Sequence, residues 1–167
     1  MKQATKSRDK ATLLGMYRSM VLIRTFEERA AEQYMLGKIR GFLHLYIGQE
    51  AIASGAISSL QPQDYVVTHY RDHGHALARG VEPNAIMAEL FGRQSGNSGG
   101  KGGSMHIADL SKGMLGANGI VGGGPPLVCG AALTYKTKKS NNVSVGFFGD
   151  GASNQGSISE SMNMASV

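Results

Sequence analysis

Residues 143–154 read VSVGFFGDGASN and carry the strongest fold signal in the chain. The run 143–148 is typical of a buried strand, and Gly149-Asp150-Gly151 indicates a tight turn that leads into a helix through Ile158, Met162 and Ala165. Parallel α/β sheets bind ligands beyond the carboxyl ends of their strands. We therefore expect residues 149–152 to lie at a ligand site.

The residue types of this turn indicate a phosphate site. Glycines at 149 and 151 permit tight turning and close backbone approach, and the amino end of the following helix favours an anion. A carboxylate beside a phosphate requires a bridging divalent cation, so Asp150 is a candidate magnesium ligand. The turn alone leaves open a second interpretation, in which Asp150 holds the turn through its own backbone bonds. A dinucleotide fingerprint is excluded by Asn154, and a P-loop is excluded by Ser95 and Gly102.

Outside this stretch, helical and strand-like segments alternate. Their order predicts an α/β fold with a mainly parallel sheet flanked by helices. The first helix has an apolar face that we expect to be core: Met16, Met20, Ile23, Phe26, Ala30 and Tyr34. The predicted elements are helices at 12–36 (ending at Gly37), 49–60, 73–78, 83–91 and 125–135, and strands at 65–68 and 143–148.

Composition limits the possible classes of protein. A chain of 167 residues with 41% hydrophobic and 17% charged residues suits one domain, and it has no apolar run of transmembrane length. The net charge of +5 is scattered, without a basic stripe or interleaved aromatics, which argues against nucleic-acid binding. The domain prediction is a basic tail at 1–10 followed by a partial ligand-binding domain at 11–167.

Two residue types add to this picture. The 24 glycines concentrate in 96–103 and 113–130 among apolar residues, which indicates backbone brought close to something in an ordered fold. The single cysteine, Cys129, is expected to be a buried structural thiol. Together with the lack of a signal peptide, it predicts a cytoplasmic protein.

Two further polar segments carry candidate site residues. In 68–75, Arg71 offers a guanidinium fork for a diphosphate, although it could equally be a surface arginine paired with Asp72. The three histidines of that segment could also be zinc ligands, but their spacing is not a standard one. In 41–50, His44 lies among large apolar residues, where a satisfied core histidine is the simpler interpretation.

Taken together, these segments resemble the alpha subunits of the thiamine-diphosphate-dependent components of 2-oxo acid and acetoin dehydrogenase complexes. The resemblance runs from about Met16 to the end of the chain. The motifs that carry it are GKIRGFLHLY at 37–46, QEA at 49–51, THYRDHGH at 68–75, MAEL at 87–90, GKGGSMH at 100–106, GIVG at 119–122 and GDGASNQG at 149–156.

The resemblance implies a thiamine-diphosphate-binding fold and a role for each matching residue. Asp150 is expected to bind Mg²⁺, and His44 is expected to line the substrate side as a catalytic residue. The implied cofactor-binding residues are Tyr70, Arg71, Gly119, Val121, Asp150, Gly151 and Ala152.

It also implies an activity and partners. The activity is cleavage of acetoin with transfer of a two-carbon unit to a lipoyl carrier. Oxidative decarboxylation of pyruvate or another 2-oxo acid is the alternative, because Tyr70 is a residue of the pyruvate type. The partners are a beta subunit, in a heterotetramer, and a lipoyl-bearing acyltransferase; neither nucleic acid nor a membrane is expected.

The family pattern suggests that the chain is an amino-terminal part. The last helix has no stop signal before Val167, and the second metal ligand is expected beyond it. The catalytic base is expected on the beta subunit, so the chain alone should be inactive. Two rival classes stay open from the residues: a magnesium-dependent phosphate-binding α/β enzyme without thiamine, and an inactive partner-binding fragment.

Overall fold

The computed structural model describes residues 9–167, so most of the predicted basic tail lies outside the described residues. Within that range the chain forms six α-helices and three β-strands. They are α1 Lys10–Met35, α2 Glu50–Ile57, β1 Tyr65–His69, α3 His73–Ala78, α4 Pro83–Leu90, β2 Met114–Asn118, α5 Gly124–Thr137, β3 Ser144–Gly146 and α6 Gly156–Ser166. Single 3-10 turns occupy 103–105, 110–112 and 150–152.

The sheet is parallel, as predicted, and β1 is its central strand in the order β2-β1-β3. Val66 of β1 belongs to the main hydrophobic core, which also takes residues from α1 to α4. The next residue, Val67, points to the other face, where it approaches Gly124 of α5. Because helices cover both faces of β1, the predicted α/β fold with a flanked parallel sheet is confirmed.

Helix α1 begins and ends close to the predicted bounds. The Asp9 carboxylate accepts a hydrogen bond from Thr12 N at 2.7 Å, and the chain leaves the helix at Gly37 with φ +69°. The predicted core face is wrong at Tyr34, which is exposed. A helix of 26 residues is about 39 Å long. The short helices α2 and α3 contact it, and its buried residues lie between Ile23 and Ala30.

The glycine-rich segment 113–130 contains a strand that the sequence did not predict. Strand β2 reads MLGAN and pairs with β1 from Met114 to Asn118. It has no β-branched residue, so its position in the sheet comes from pairing with β1 and not from propensity. The predicted strand 143–148 is also shorter than expected, since only 144–146 pair with β1.

None of the helices within residues 9–167 has both the length and the apolar character needed to cross a membrane.

Candidate functional site

A small cleft lies beyond the carboxyl ends of all three strands. Its volume is about 140 Å³, and each strand contributes the segment that follows it. Tyr70 comes from the end of β1, Val121 from the loop after β2, and Gly151 and Ala152 from the turn after β3. Four of the residues predicted to bind the cofactor therefore line one cavity, at the edge where a parallel sheet places its ligands.

Several lining residues were not predicted. They flank the predicted residues in the same strand-end loops, so position alone could have identified them. They are His69, Ile120, Gly122, Gly124, Pro125, Phe147 and Phe148, whereas Gly149, which also lines the cleft, belongs to the predicted stretch 149–152. The two phenylalanines follow β3 directly and give the cleft an apolar side.

Asp150 lies between two residues of the cleft wall and is exposed. Its backbone carbonyl accepts a hydrogen bond from Ser153 N at 3.1 Å, but its carboxylate makes no hydrogen bond to any of residues 9–167. Asp109 shows what a turn-holding aspartate looks like here, because its carboxylate accepts bonds from both Ser111 N and Ser111 Oγ. The turn at Asp150 is thus held through its backbone carbonyl, which also accepts a bond from Ser153 Oγ, and its carboxylate is available for a ligand.

The glycines beside Asp150 also differ from the prediction. Gly149 has φ −90° and ψ 172°, and neither Gly149 nor Gly151 has a positive φ, so tight turning does not require them. A Cβ built on either residue meets nothing within 4 Å. The fold itself thus leaves room at both positions, and close approach of a ligand is the remaining reason for glycine.

The helix end next to the turn is not the one predicted. Residues Asp150–Ala152 form a 3-10 turn, and α6 begins only at Gly156. The first residues of α5, Gly124 and Pro125, line the cleft instead. The positive end of that 14-residue helix is therefore the one at the site, although its prolines donate no N–H.

Arg71 and Gly119 lie beside the cleft and do not line it. The Arg71 guanidinium donates from Nη1 to the carbonyl of Leu45, which leaves Nη2 and Nε for an anionic ligand. Asp72 is fully buried and accepts a bond from Ile107 N at 3.0 Å, so the alternative surface pair of Arg71 with Asp72 is wrong. Gly119 contacts the ring of His106, 3.5 Å from a Cβ built on the glycine.

His44 lies against the cleft residue Tyr70, with 4.8 Å between the ring centroids. Its Nδ1 is buried and has no hydrogen-bond partner, so the interpretation as a satisfied core histidine is wrong. Burial lowers the pKa of His44, and the charge of Arg71 lowers that pKa further. The ring is therefore neutral at pH 7 and can offer a hydrogen bond.

The zinc interpretation of the three neighbouring histidines is also wrong, because their rings bond to different protein groups. His69 Nδ1 accepts from Arg71 N, His73 Nδ1 contacts Glu27, and His75 bonds to Tyr46 and Thr68. In the described part of the chain, no group of three or more His, Cys, Asp or Glu side chains is arranged to hold a metal ion.

Cys129 is half-buried and not fully buried as predicted. Its thiol donates to the carbonyl of Ser161, which ties α5 to α6. It lies on a helix–helix contact and not in the cleft.

These observations fit an anion held partly through a divalent cation. The donor set is a free carboxylate at Asp150, open space at two glycines, a partly free guanidinium at Arg71 and the end of α5. Mg²⁺ is commonly bound by one or two carboxylates together with ligand phosphates. Ligand pockets usually have about 300–1,000 Å³, so a cleft of about 140 Å³ encloses only part of such a ligand.

The fold and the cleft define an α/β protein with a candidate ligand site at the carboxyl edge of a parallel sheet. The family model described as "Dehydrogenase E1 component" matches residues 18–167. The chain therefore belongs to the dehydrogenase E1 component family, in agreement with the resemblance found in the sequence.

Individual relatives agree with that assignment. The alpha subunit of acetoin:2,6-dichlorophenolindophenol oxidoreductase from Cupriavidus necator is 54% identical over 159 residues, which are 95% of this chain and 48% of the relative. The Bacillus subtilis protein of that name is 54% identical over 154 residues, 92% of this chain and 46% of the relative. The alpha subunit of the pyruvate dehydrogenase E1 component from Zymomonas mobilis is 51% identical over 160 residues, 95% of this chain and 45% of the relative. The chain spans about half the length of these relatives.

Proposed function

We propose that this chain forms the diphosphate- and magnesium-binding side of a thiamine diphosphate site, in the alpha subunit of a dehydrogenase E1 component. The observation that carries the proposal is the cleft at the carboxyl edge of the sheet. Tyr70, Val121, Gly151 and Ala152 line it together, and the unpaired Asp150 carboxylate lies in the same turn. Family membership supports the choice of cofactor over another phosphate ligand.

Each residue then has a physical task. Asp150 would hold Mg²⁺, while the backbone at Gly151 and Ala152 accommodates the diphosphate. Arg71 would add bonds from Nη2 and Nε to diphosphate oxygens, since charge-assisted bonds of this kind are stronger than neutral ones. The loop at Gly119 and Val121, with the ring of Tyr70, would contact the aminopyrimidine end.

The cofactor, when bound, would supply the nucleophilic carbon and the electron sink for cleavage of a bond next to a carbonyl. His44 would act on the substrate side. Because its pKa is lowered, the neutral ring can donate or accept a hydrogen bond at a substrate oxygen without adding a charge. Phe147 and Phe148 would exclude water from the same region.

We propose acetoin as the substrate, cleaved with transfer of a two-carbon unit to a lipoyl group. Two acetoin-type relatives, each 54% identical, support it. Pyruvate is the second candidate, favoured by Tyr70 in the sequence and by the 51% identical pyruvate-type relative.

The proposed partners are a beta subunit and a lipoyl-bearing acyltransferase. The small volume of the cleft supports a second wall from elsewhere, since about 140 Å³ is too small for a whole cofactor. The names of the relatives, which are alpha subunits, support a beta partner. We propose that the activating base lies on that partner. We propose the cytoplasm as the location, where a reduced, unpaired Cys129 would be stable.

The proposal predicts that Asp150→Ala in the whole protein abolishes magnesium-dependent binding of thiamine diphosphate. The free energy of unfolding of the variant should lie within about 0.5 kcal/mol of the wild-type value, because the side chain is exposed and makes no hydrogen bond to the other described residues. Isothermal calorimetry with and without Mg²⁺ measures the binding, and thermal unfolding measures the stability.

The matched control is Asp109→Ala, which removes another aspartate whose carboxylate only holds its own turn. It should bind the cofactor normally. Unchanged affinity in Asp150→Ala would remove Asp150 from the metal site. Turnover of acetoin, pyruvate and branched 2-oxo acids with an artificial electron acceptor, in the protein assembled with its beta partner, then decides the substrate.

A further inference from the structure

A hydrogen-bonded network of buried polar side chains connects α1 to the segment that carries His44. Glu27 Oε1 lies 2.9 Å from His73 Nδ1, and His73 Nε2 lies 3.0 Å from Ser104 Oγ. The backbone N–H of His44 donates to the same Ser104 hydroxyl at 3.2 Å. Glu27 and His73 are fully inaccessible to solvent, and Ser104 is 4% exposed.

The segment around His44 depends on such side-chain bonds for its shape. Residues 42–46 belong to neither a helix nor a strand. Three consecutive residues are anchored one by one: the His44 N–H by Ser104, the Leu45 carbonyl by Arg71, and the Tyr46 hydroxyl by His75 at 3.2 Å. These anchors replace the hydrogen bonds that a regular element would provide.

The Ser104 bond is the anchor that acts on His44 itself. The ring Nδ1 of His44 has no hydrogen-bond partner among the described residues. The ring is therefore oriented by its contacts with Tyr70 and, at a longer centroid distance of 6.5 Å, with Phe42, and by the position of its backbone. A shift of the His44 backbone therefore moves the ring relative to the cleft.

We propose that Ser104, oriented by His73 and Glu27, is a positioning residue that holds His44 against Tyr70 beside the cleft. The proposal rests on the proposed function, in which His44 faces the substrate. The hydrogen bond between Ser104 and His73 forms in both protonation states of His73. A neutral ring accepts a hydrogen bond from the Ser104 hydroxyl, and a charged ring donates one to the hydroxyl oxygen. In each state the hydroxyl oxygen keeps a lone pair for the His44 N–H.

The energetics favour this role over simple attachment of α1. Glu27 Oε2 and the neighbouring Asp72 Oδ1 are buried without hydrogen-bond partners. Buried polar groups with incomplete bonding cost stability, and apolar residues of similar volume often join two helices more firmly. What a network of polar side chains adds is a defined orientation of the Ser104 hydroxyl.

The test is Ser104→Ala in the whole protein assembled with its partner. Hydrogen exchange followed by mass spectrometry should show the peptide that contains residues 42–46 exchanging about three- to tenfold faster, because the hydrogen bond of the His44 backbone N–H is lost. In the activity assay, kcat/KM should fall roughly ten- to hundredfold, as expected for a displaced group. Thiamine diphosphate affinity should stay unchanged, since Ser104 does not line the cleft.

A double-mutant cycle separates positioning from general damage. In a His44→Ala background, Ser104→Ala should lower kcat/KM little further, whereas independent losses that multiply would overturn the proposal. The matched control is Ser98→Ala, whose hydroxyl bonds to the carbonyl of His106 at 3.0 Å and does not reach His44. It should leave both the exchange of the 42–46 peptide and the turnover unchanged.

If Ser104→Ala fails to fold, Ser104→Cys serves instead, because a thiol nearly keeps the volume but is a weak acceptor. The same exchange pattern and the same coupling to His44 are expected. Unchanged exchange at 42–46 in a folded Cys variant would contradict the proposal. The exchange measurement needs no turnover, so an error in the proposed function would not hide an error here.

Discussion

Two glycine-containing regions of the chain bring their backbone close to very different things. In 96–103 the backbone folds around the carboxylate of Glu89, which is fully buried. The Glu89 carboxylate accepts four hydrogen bonds of 2.7–3.1 Å from the backbone N–H groups of Ser98, Gly100, Gly102 and Gly103. In 149–151 the glycines meet open space, and the Asp150 carboxylate between them makes no hydrogen bond in the part of the chain that the structure describes.

The difference shows what glycine density can and cannot tell. In 96–103 it correctly indicates that the backbone approaches another group, whereas for 149–151 such an approach is a proposal. In the first region that group is an internal anion supplied by α4, and in the second it is proposed to be a ligand. Sequence composition does not separate the two cases, because the partner of the glycines lies elsewhere in the chain or outside it.

The largest effect is expected from Glu89→Gln. The amide keeps one acceptor oxygen but turns an NH₂ group toward backbone donors, so buried N–H groups lose their partner. We expect a loss of about 3 kcal/mol or more in the free energy of unfolding. Urea unfolding of the whole protein measures it. Glu82→Gln, at the exposed start of α4, is the control and should change stability by less than about 0.5 kcal/mol. Equal stability of the two variants would mean that Glu89 does not organise the segment.

A pair of alanine substitutions should separate the two regions directly. Gly100 has φ +74°, and a Cβ there would lie 2.5 Å from Gly92 C, so Gly100→Ala should cost about 1–3 kcal/mol of stability. Gly151→Ala should leave stability nearly unchanged but weaken thiamine diphosphate binding, because the methyl group enters the space left for the ligand. Thermal unfolding and calorimetry on both variants check this. Normal cofactor affinity in Gly151→Ala would contradict the proposal that the glycines at 149–151 leave space for a ligand.

A smaller effect is expected from pH. Burial alone would raise the pKa of Glu89, but the four backbone N–H bonds outweigh it, and the net pKa lies below the usual value of 4.5. The native carboxylate therefore binds protons less readily than the unfolded one. Its contribution to stability is complete above pH 4.5 and is lost as pH falls through the native pKa. The melting-temperature difference between wild type and Glu89→Gln should be constant above pH 4.5 and shrink below it; a constant difference at every pH would contradict this.

Much of the fold could be predicted from the sequence because its elements have local signals. Strand β1 is rich in β-branched residues, α3 was predicted with its observed bounds, and α1 ends at a glycine as expected. Strand β2 could not be predicted, because MLGAN becomes a strand only through pairing with β1. Tyr34 was misplaced because helical periodicity gives the direction of a side chain but not how far along the helix the core reaches.

The candidate site was predicted in part. Parallel sheets bind ligands beyond the carboxyl ends of their strands, and this rule, together with the family motifs, identified residues that line one cleft. The roles assigned to these residues stay predictions. The bonds that hold His44 could not be predicted, because Glu27, His73 and Ser104 are far apart in sequence and meet only through tertiary packing. The state of His44, with a buried nitrogen lacking a partner, likewise depends on its three-dimensional surroundings.

The central place of β1 has a consequence for how the chain folds during synthesis. β1, at Tyr65–His69, is made first, yet it pairs with β2 at Met114–Asn118 and with β3 at Ser144–Gly146. As the chain emerges from the ribosome, one edge of β1 stays unpaired until residue 118 has appeared, and the other edge stays unpaired until residue 146 has appeared. Pairing between segments so distant in sequence is intrinsically slow. The early helices α1 to α4, which cover one face of β1, therefore shield it during that wait.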